Sequence, residues 1–228
     1  MRRIAIITAR GGSKRIPRKN IKDFMGKPIL AYSVEAAVQS GLFDEVMVST
    51  EDEEIEEIAK RYGAKVPFFR SEKTAGDFAT TNDVLLEVIE EYEKRGEFFE
   101  TGCCIYPTAP FVTADKLKIG VESLEASDAD TLIPVVEFSY PPKRAMAIRE
   151  GGLEFLYPEF LDSRSQDLEK EYHDAGQFYC FRVAPYKITK KLMLGKILPF
   201  VVDEMEVQDI DNESDWKIAE IKYRKMKE

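Results

Sequence analysis

Histidine, tryptophan and cysteine are scarce in this sequence, with one, one and three of them among 228 residues. A single histidine leaves no Ser/His/Asp or Cys/His arrangement that could be defended as a nucleophilic triad. Three cysteines, two of them the neighbours Cys103 and Cys104, make no disulfide framework, which predicts a cytoplasmic, reduced protein. No apolar run has the length needed to span a membrane, and the first one, ending at Thr8, is too short for a signal peptide.

Positive charge is also in deficit. The formal net charge is −9, which argues against a general nucleic-acid binder. An anionic substrate must therefore be drawn to a local basic patch. Hydrophobic residues make up 44% of the chain and charged residues 33%, which describes a globular protein with enough apolar material for a core. The length fits a single domain over residues 1–228, with room for a substantial insertion.

Strand-like and helix-like segments alternate along most of the chain. Apolar runs predict strands over 4–8, 45–50, 65–69, 102–106, 131–136, 176–183 and 197–202. Helical spacing and capping residues predict helices over 29–40 and 52–62, from Thr81 or Asn82 to Lys94, from Thr113 onward, and from Asn212 to about Lys227. This alternation predicts an α/β fold with a mostly parallel central sheet flanked by helices.

Residues 137–172 interrupt that alternation with a segment rich in proline, glycine and charge. Residues 145–148 and 153–157 flank Arg149–Gly152, which predicts a hairpin. An excursion of this size inside an α/β domain is more often a lid or a subunit-contact arm than an ordinary loop.

A basic, glycine-containing loop follows the first predicted strand. Backbone N–H groups and clustered cations together suit a polyphosphate, and open α/β sheets bind ligands at this position. A solvated basic loop is the alternative. The P-loop string and the dinucleotide string are both absent, which disfavours a kinase or a dehydrogenase. The loop contains Arg10, Gly11, Gly12, Ser13, Lys14, Arg15, Arg18, Lys19 and Asn20.

Two further groups of polar residues could carry chemistry. Asp209 and Asp211, one residue apart in extended backbone, place both carboxylates on one side, which suits Mg²⁺. A solvated turn is the alternative for Asp-x-Asp alone. Around the only histidine, the side-chain types predict a polar pocket for a hydroxylated or acetamido-bearing acid. That group consists of Arg164, Gln166, His173, Asp174 and Gln177.

These motifs, taken in order, resemble the sugar-activating cytidylyltransferases, the family of acylneuraminate and 3-deoxy-manno-octulosonate cytidylyltransferases. The resemblance runs nearly end to end. Its most specific part is 9–14 with Lys19 and Asn20; the weaker parts are Arg70 with 79–81, Pro107-Thr108-x-Pro110, and 208–211. It implies a Rossmann-like nucleotidyltransferase fold in which 137–172 is a dimerisation arm, and therefore a homodimer.

The resemblance also implies roles for the singled-out residues. CTP and a nonulosonic acid would be the substrates and Mg²⁺ the cofactor, with the sugar C2 hydroxyl attacking the α-phosphorus. The catalytic cations would be Arg10, Lys14 and Lys19, and the triphosphate site would be completed by Gly11, Gly12, Ser13 and Asn20. The cytosine would be read by Arg70, Ala79 and Thr81, and the metal would be held by Asp209 and Asp211. The sugar would be bound by Arg164, Gln166, His173, Asp174 and Gln177.

The chain departs from the sialic acid enzymes at two places. Tyr106 and Val112 stand where those enzymes have Gln and Arg, and His173–Gln177 replaces an Asn-Gly-Ala run. These departures favour a more deoxygenated, diacetamido acid over N-acetylneuraminate. Sialic, legionaminic and octulosonic acids remain alternative substrates, and a non-catalytic nucleotide-binding protein on the same fold remains the alternative from another class.

Overall fold

A computed structural model describes residues 1–228. The strands are β1 Arg3–Thr8, β2 Asp23–Phe24, β3 Lys27–Pro28, β4 Glu45–Ser49, β5 Thr101–Ile105, β6 Thr131–Glu137, β7 Met146–Arg149, β8 Gly152–Phe155, β9 Tyr172–Asp174, β10 Phe178–Arg182 and β11 Ile197–Val201. The helices are α1 Ile29–Ser40, α2 Glu53–Arg61, α3 Glu72–Ala75, α4 Thr81–Lys94, α5 Ala114–Ala126, α6 Val183–Thr189 and α7 Glu213–Lys227.

The central sheet has the strand order β11-β6-β10-β5-β1-β4, and β9 also pairs with β6. Strand β1 is parallel to β4 and β5, and β6 is parallel to β11. Because β10 runs antiparallel to both β5 and β6, those two strands share one direction. The prediction of a mostly parallel sheet is confirmed, with β9 and β10 as the reversed strands.

Helices cover both faces of this sheet, as the continuous apolar run of β1 requires. Along β1, Ala5 and Ile7 pack on the side of α1, α2 and α5, whereas Ile4 and Ile6 pack on the side of α4 and α6. All four side chains are fully buried. The three cysteines lie buried in β5 and β10 and are free.

A smaller apolar cluster joins the C-terminal helix to the basic loop. Trp216 of α7 packs with Ile16, Phe24, Tyr32 and others, and the Phe24 and Trp216 rings meet edge to face at 5.5 Å. Ile210 belongs to the same cluster and is fully buried. The cluster therefore brings 209–211 against the loop that follows β1, although the two are nearly the whole chain apart.

The predicted strand over 65–69 is wrong. Only one isolated bridge forms there, between Lys65 and Met47, and the rest of the segment has no ladder. Pro67 lacks a backbone N–H, which removes a donor that a strand would need. The predicted helix starts agree with the structure at Asp52, Thr113 and Asn212, each of which caps its helix through its side chain.

The segment between β6 and β9 leaves the sheet and exposes apolar side chains. It contains the predicted hairpin, β7 paired with β8, as a separate two-stranded sheet. Ile148 and Leu153 face each other in its register and are 81% and 64% exposed. Nothing in this single chain covers that surface. No helix in the structure has both the length and the apolar character to cross a membrane.

Candidate active site

A cleft of about 520 Å³ lies at the carboxyl ends of β1 and β5. This is the position at which open α/β sheets bind ligands. The cleft collects residues from five separate segments of the chain. Its lining comprises Thr8, Arg10, Ser13, Lys14, Arg15, Ile16, Lys19, Asn20, Arg70, Asp77, Ala79, Thr80, Thr81, Val84, Tyr106, Pro107, Thr108, Asp209 and Asp211.

The basic loop is fixed to the body of the protein at several points. Ile16 is buried in the small apolar cluster, and the Asn20 side-chain amide donates to the Arg10 carbonyl at 2.8 Å. The Gly11 N–H donates to the Glu51 carboxylate at 2.7 Å. Arg18, in the left-handed region with φ of 53°, forms ion pairs with Asp52, the N-cap of α2, and with Glu54 in its first turn. The loop is therefore held in shape without a ligand.

Gly11 and Gly12 do not line the cleft, and they have different surroundings. A Cβ on Gly11 would stand 2.4 Å from Asp52 Oδ2, whereas a Cβ on Gly12 would meet nothing within 4 Å. Gly11 is therefore required by the close approach of the β4–α2 connection. The prediction that both glycines bind CTP stays a prediction.

Three of the five cations that line the cleft have carboxylate partners. Arg10 and Lys14 both contact Asp77, at 2.8 and 2.5 Å, and Arg15 contacts Asp211 at 2.7 Å. Lys14 above all, and then Arg10, hold the pKa of Asp77 below its usual range. These ion pairs neutralise part of the positive charge of the cleft, whose lining has five cations and three carboxylates.

Arg18 differs from the other cations of the loop because it does not line the cleft. Its guanidinium pairs with both oxygens of Asp52 and with Glu54. The same Asp52 accepts the Ile55 N–H and caps α2. Of the five cations noted in the sequence, Arg18 therefore anchors the loop, and the other four face the cleft.

Lys19 lies between the basic loop and the aspartate pair. Its Nζ donates to the Ile210 carbonyl at 2.6 Å. Burial lowers the pKa of Lys19, and the carboxylates of Asp211 and Asp209 oppose that shift. Since both aspartates act on Lys19, the structure brings the predicted phosphate residues and the predicted metal residues together in one place.

Arg70 forms the floor of the cleft on the side of β4. Its Nε donates to Ser49 Oγ at 2.8 Å and its Nη2 to the Ser49 carbonyl at 2.7 Å. Burial lowers the pKa of Arg70 to about 10, against the opposing charges of Glu51 and Glu87. The group still carries its charge at neutral pH and is rigidly oriented.

The neighbouring segment Ala79–Thr81 leads into α4. Thr80 caps that helix in a reciprocal capping box with Asp83. Its backbone is therefore fixed beside Arg70, where the cytosine-reading segment was expected.

Asp209 and Asp211 lie on the cleft, and Ile210 between them is fully buried. This alternation turns the two aspartates away from the core, as the sequence predicts. No group of three or more histidine, cysteine, aspartate or glutamate side chains is placed to hold a metal ion. Two carboxylates fit Mg²⁺ only if substrate phosphates and water supply its other ligands, which is the usual arrangement for this ion.

The predicted sugar residues are not brought together in this single chain. Arg164 and Gln166 lie in the 137–172 segment, are exposed, and do not line the cleft. His173 packs against Phe138 with ring centroids 4.7 Å apart, at the edge of the sheet. Gln177 is 2% exposed; its amide nitrogen donates to the Glu206 carbonyl, and its Oε1 has no partner. Their roles in sugar binding stay predictions.

Asp174 is connected to the cleft through two tyrosines. The Tyr179 hydroxyl donates to Asp174 Oδ2 at 2.7 Å, and the Tyr179 and Tyr106 rings meet edge to face at 5.4 Å. Burial raises the pKa of both phenols, while a hydrogen bond with Thr81 opposes the shift at Tyr106. A polar path therefore runs from the Thr81 end of the cleft to Asp174.

Sequence reasoning missed Asp77 and gave Tyr106 only as a departure from a family motif. Asp77 is 67 residues from Arg10 along the chain, and its segment carries no pattern that would predict the contact. Tyr106 directly follows β5 at the end where ligands bind, and that position could have identified it.

Comparisons with known proteins agree with the resemblance found in the motifs. A family model described as Cytidylyltransferase matches residues 4–177. The chain is 41% identical to the pseudaminic acid cytidylyltransferase of Campylobacter jejuni, covering 98% of this chain and 97% of the relative. It is 30% identical to the CMP-N,N'-diacetyllegionaminic acid synthase of Legionella pneumophila, covering 96% and 95%. A solved CMP:2-keto-3-deoxy-manno-octonic acid synthetase complexed with CTP has a TM-score of 0.72 at 16% identity, over 99% of this chain and 100% of that one, which confirms the expected fold.

Proposed function

The chain belongs to the cytidylyltransferase family and is a nucleotidyltransferase; from this premise we propose that it joins CTP to pseudaminic acid, giving CMP-pseudaminic acid and pyrophosphate. The observation that carries the proposal is a single cleft that gathers the basic loop, Arg70 with 79–81, and the aspartate pair. Identity to the Campylobacter enzyme along nearly the whole chain supports pseudaminic acid as the acceptor, ahead of the legionaminic acid named for the more distant relative.

The reaction needs an oxygen nucleophile, a triphosphate and a stabilised leaving group. The sugar C2 hydroxyl oxygen forms a bond to the α-phosphorus, the bond between that phosphorus and the bridging oxygen to the β-phosphate breaks, and the hydroxyl proton is released. Such transfers ask the protein mainly for positioning and charge stabilisation. Arg10, Lys14 and Lys19 would supply the positive charge for the triphosphate and for pyrophosphate, and Ser13 and Asn20 would orient it.

The cytosine would be read by the rigid side of the cleft. Arg70 is fixed through Ser49, and the Ala79–Thr81 backbone is fixed by the capping box of α4. Carbonyl groups of such a segment accept from the exocyclic amine of cytosine and meet a carbonyl oxygen in uracil. Discrimination against UTP would follow because buried polar groups would then be left unpaired.

Magnesium would be held by Asp209 and Asp211 together with phosphate oxygens of the substrate. When bound, it would neutralise phosphate charge and lower the pKa of the attacking hydroxyl. Lys19 donates to the carbonyl of Ile210, the residue between the two aspartates, so it would keep the two carboxylates and the triphosphate at a fixed spacing.

The acid would lie beyond Tyr106, toward Asp174 and His173. We propose that Arg164 and Gln166 complete the site from a second copy of the chain, because in one chain they lie on the arm and away from the cleft. The exposed apolar hairpin supports a homodimer, since apolar side chains such as Ile148 and Leu153 are typical of protein–protein contacts.

The test is pyrophosphate release from CTP and Mg²⁺, with pseudaminic, N,N'-diacetyllegionaminic, N-acetylneuraminic and 3-deoxy-manno-octulosonic acids in parallel. The double variant Asp209→Asn/Asp211→Asn serves as the background control. A strong preference for pseudaminic acid supports the proposal. Turnover with another acid would be consistent with the assigned cleft but would refute pseudaminic acid as the acceptor. No pyrophosphate release from folded wild-type protein with any acid would refute the activity.

A further inference from the structure

Asp77 lies in the cleft as a single carboxylate between two cations that are expected to take phosphate. One oxygen contacts Arg10 Nη1 at 2.8 Å, and the other contacts Lys14 Nζ at 2.5 Å. These are the only polar contacts of the Asp77 side chain. A carboxylate with one oxygen on each of two cations has the contact pattern of a phosphate group.

The segment that carries Asp77 is fixed at both ends, and between them the Ala79 N–H donates to the Gly76 carbonyl at 3.2 Å and closes a turn around Asp77. On one side, Glu87 accepts from Ser71 and Thr74 and so holds α3 against α4. On the other side, Thr80 caps α4. Between these points Phe78 is fully exposed, so no apolar contact holds Asp77 in the cleft. The two ion pairs are the side-chain contacts that hold its carboxylate there.

We propose that Asp77 is an internal anion of the pyrophosphate site: before a nucleotide binds it occupies a phosphate position, it yields to the triphosphate, and it returns as pyrophosphate leaves. The inference rests on the proposed function for the identity of its natural ligand.

The strength of the contact suits a displaceable group. The side chains of Asp77 and Arg10 are 41% and 39% exposed, and that of Lys14 is 75% exposed. Exposed ion pairs of this kind are weak, whereas a triphosphate brings several negative charges to the same cations. Removing the competing charge is expected to tighten phosphate binding by roughly two- to tenfold.

The experiment compares Asp77→Asn with wild-type protein by calorimetric titration of inorganic pyrophosphate, CTP and cytidine. Asp128→Asn is the matched control: it neutralises another exposed aspartate, which pairs with Lys196 near the opposite end of the sheet. Asp77→Asn should bind pyrophosphate and CTP more tightly and be more strongly inhibited by pyrophosphate in turnover. Cytidine, which has no phosphate, should bind Asp77→Asn and the wild type with equal affinity. Asp128→Asn should change none of these affinities.

Weaker or unchanged pyrophosphate binding by folded Asp77→Asn protein would overturn the inference. Weaker binding would instead assign the carboxylate to aligning the cations or to a metal. The pyrophosphate titration does not depend on the nucleotide. If the wild type does not prefer CTP over UTP, that result counts against the proposed function, and the pyrophosphate affinities of the wild type and Asp77→Asn still decide the role of Asp77.

Discussion

Replacing Gly11 with alanine should loosen the basic loop through one contact that can be identified. The new Cβ would stand 2.4 Å from Asp52 Oδ2, 3.2 Å from Asp52 Cγ and 3.3 Å from Arg18 Nη1. No rearrangement of a long, flexible side chain relieves the first contact, because Asp52 is short and is held by the Ile55 N–H at 3.1 Å. The carboxylate must therefore move.

Two interactions are lost when Asp52 moves. The first is the N-cap of α2, and removing such a cap costs about 0.5–2 kcal/mol. The second is the ion pair with Arg18, whose partners are 40% and 19% exposed, so its contribution is about 1 kcal/mol or less. Together they predict a loss of about 0.5–3 kcal/mol, which for a chain of this length lowers Tm by about 1–12 °C. Arg18 then keeps its ion pair with Glu54 but loses the one with Asp52, so the loop is held less firmly and the KM for CTP should rise.

Gly12→Ala is the matched substitution, because its Cβ meets nothing within 4 Å. It should change stability by no more than about 0.5 kcal/mol. Thermal melting and CTP titration on the two variants and the wild type measure both effects. If Gly11→Ala melts like Gly12→Ala and binds CTP like the wild type, the Asp52–Arg18 contact does not hold the loop and the reasoning is refuted.

Three further outcomes follow from the cleft and the arm. Burial lowers the pKa of Lys19, so kcat/KM should decrease with rising pH at a pH below the usual lysine pKa. In Lys19→Arg this alkaline decrease should shift to higher pH. If it does not shift, the decrease belongs to the titration of another group. Asp211→Asn should cut kcat by about two orders of magnitude and raise the Mg²⁺ needed for half-maximal rate. Arg15→Gln breaks the ion pair between Arg15 and Asp211 but keeps the Asp211 carboxylate, so it should leave the Mg²⁺ requirement unchanged. Equal Mg²⁺ requirements in Asp211→Asn and Arg15→Gln would contradict the metal role. Ile148→Glu/Leu153→Glu should convert a dimer to monomers in sedimentation, and a variant that still sediments as a dimer would place the interface elsewhere.

The elements of the fold could be predicted because their signals are local. Apolar runs predicted the strands of the central sheet except β9, whose residues Tyr172–Asp174 are all exposed. Asp52, Thr113 and Asn212 predicted helix starts through a hydrogen bond that each residue makes within its own segment. At α4 the cap is Thr80, one residue before the predicted start. The predicted strand over 65–69 failed because Pro67 removes a donor there, and the apolar run concealed that loss.

The site could be predicted only in part because its contacts are not local. The Lys19–Ile210 contact spans 191 residues, and no spacing rule predicts it; family resemblance alone placed the two segments in one site. Asp77 was missed because its contact depends on the shape of a loop. The need for glycine at position 11 could not be predicted either, because it depends on how closely the Asp52 side chain approaches the Gly11 backbone.

The charges of the cleft give a physical reason to expect a divalent cation in the reaction. Once a triphosphate displaces Asp77 from Arg10 and Lys14, that carboxylate no longer opposes it. Asp209 and Asp211 cannot leave in the same way, because Ile210 between them is locked into the core. Two fixed carboxylates beside a bound triphosphate would repel it strongly in a partly desolvated cleft. Lys19 and Arg15, which pairs with Asp211, supply two positive charges there, but burial weakens the hold of Lys19 on its proton, and the triphosphate adds several negative charges. A chain that binds a polyphosphate at this place therefore needs further positive charge between the aspartates and the phosphates, and Mg²⁺ has the oxygen-ligand chemistry to provide it.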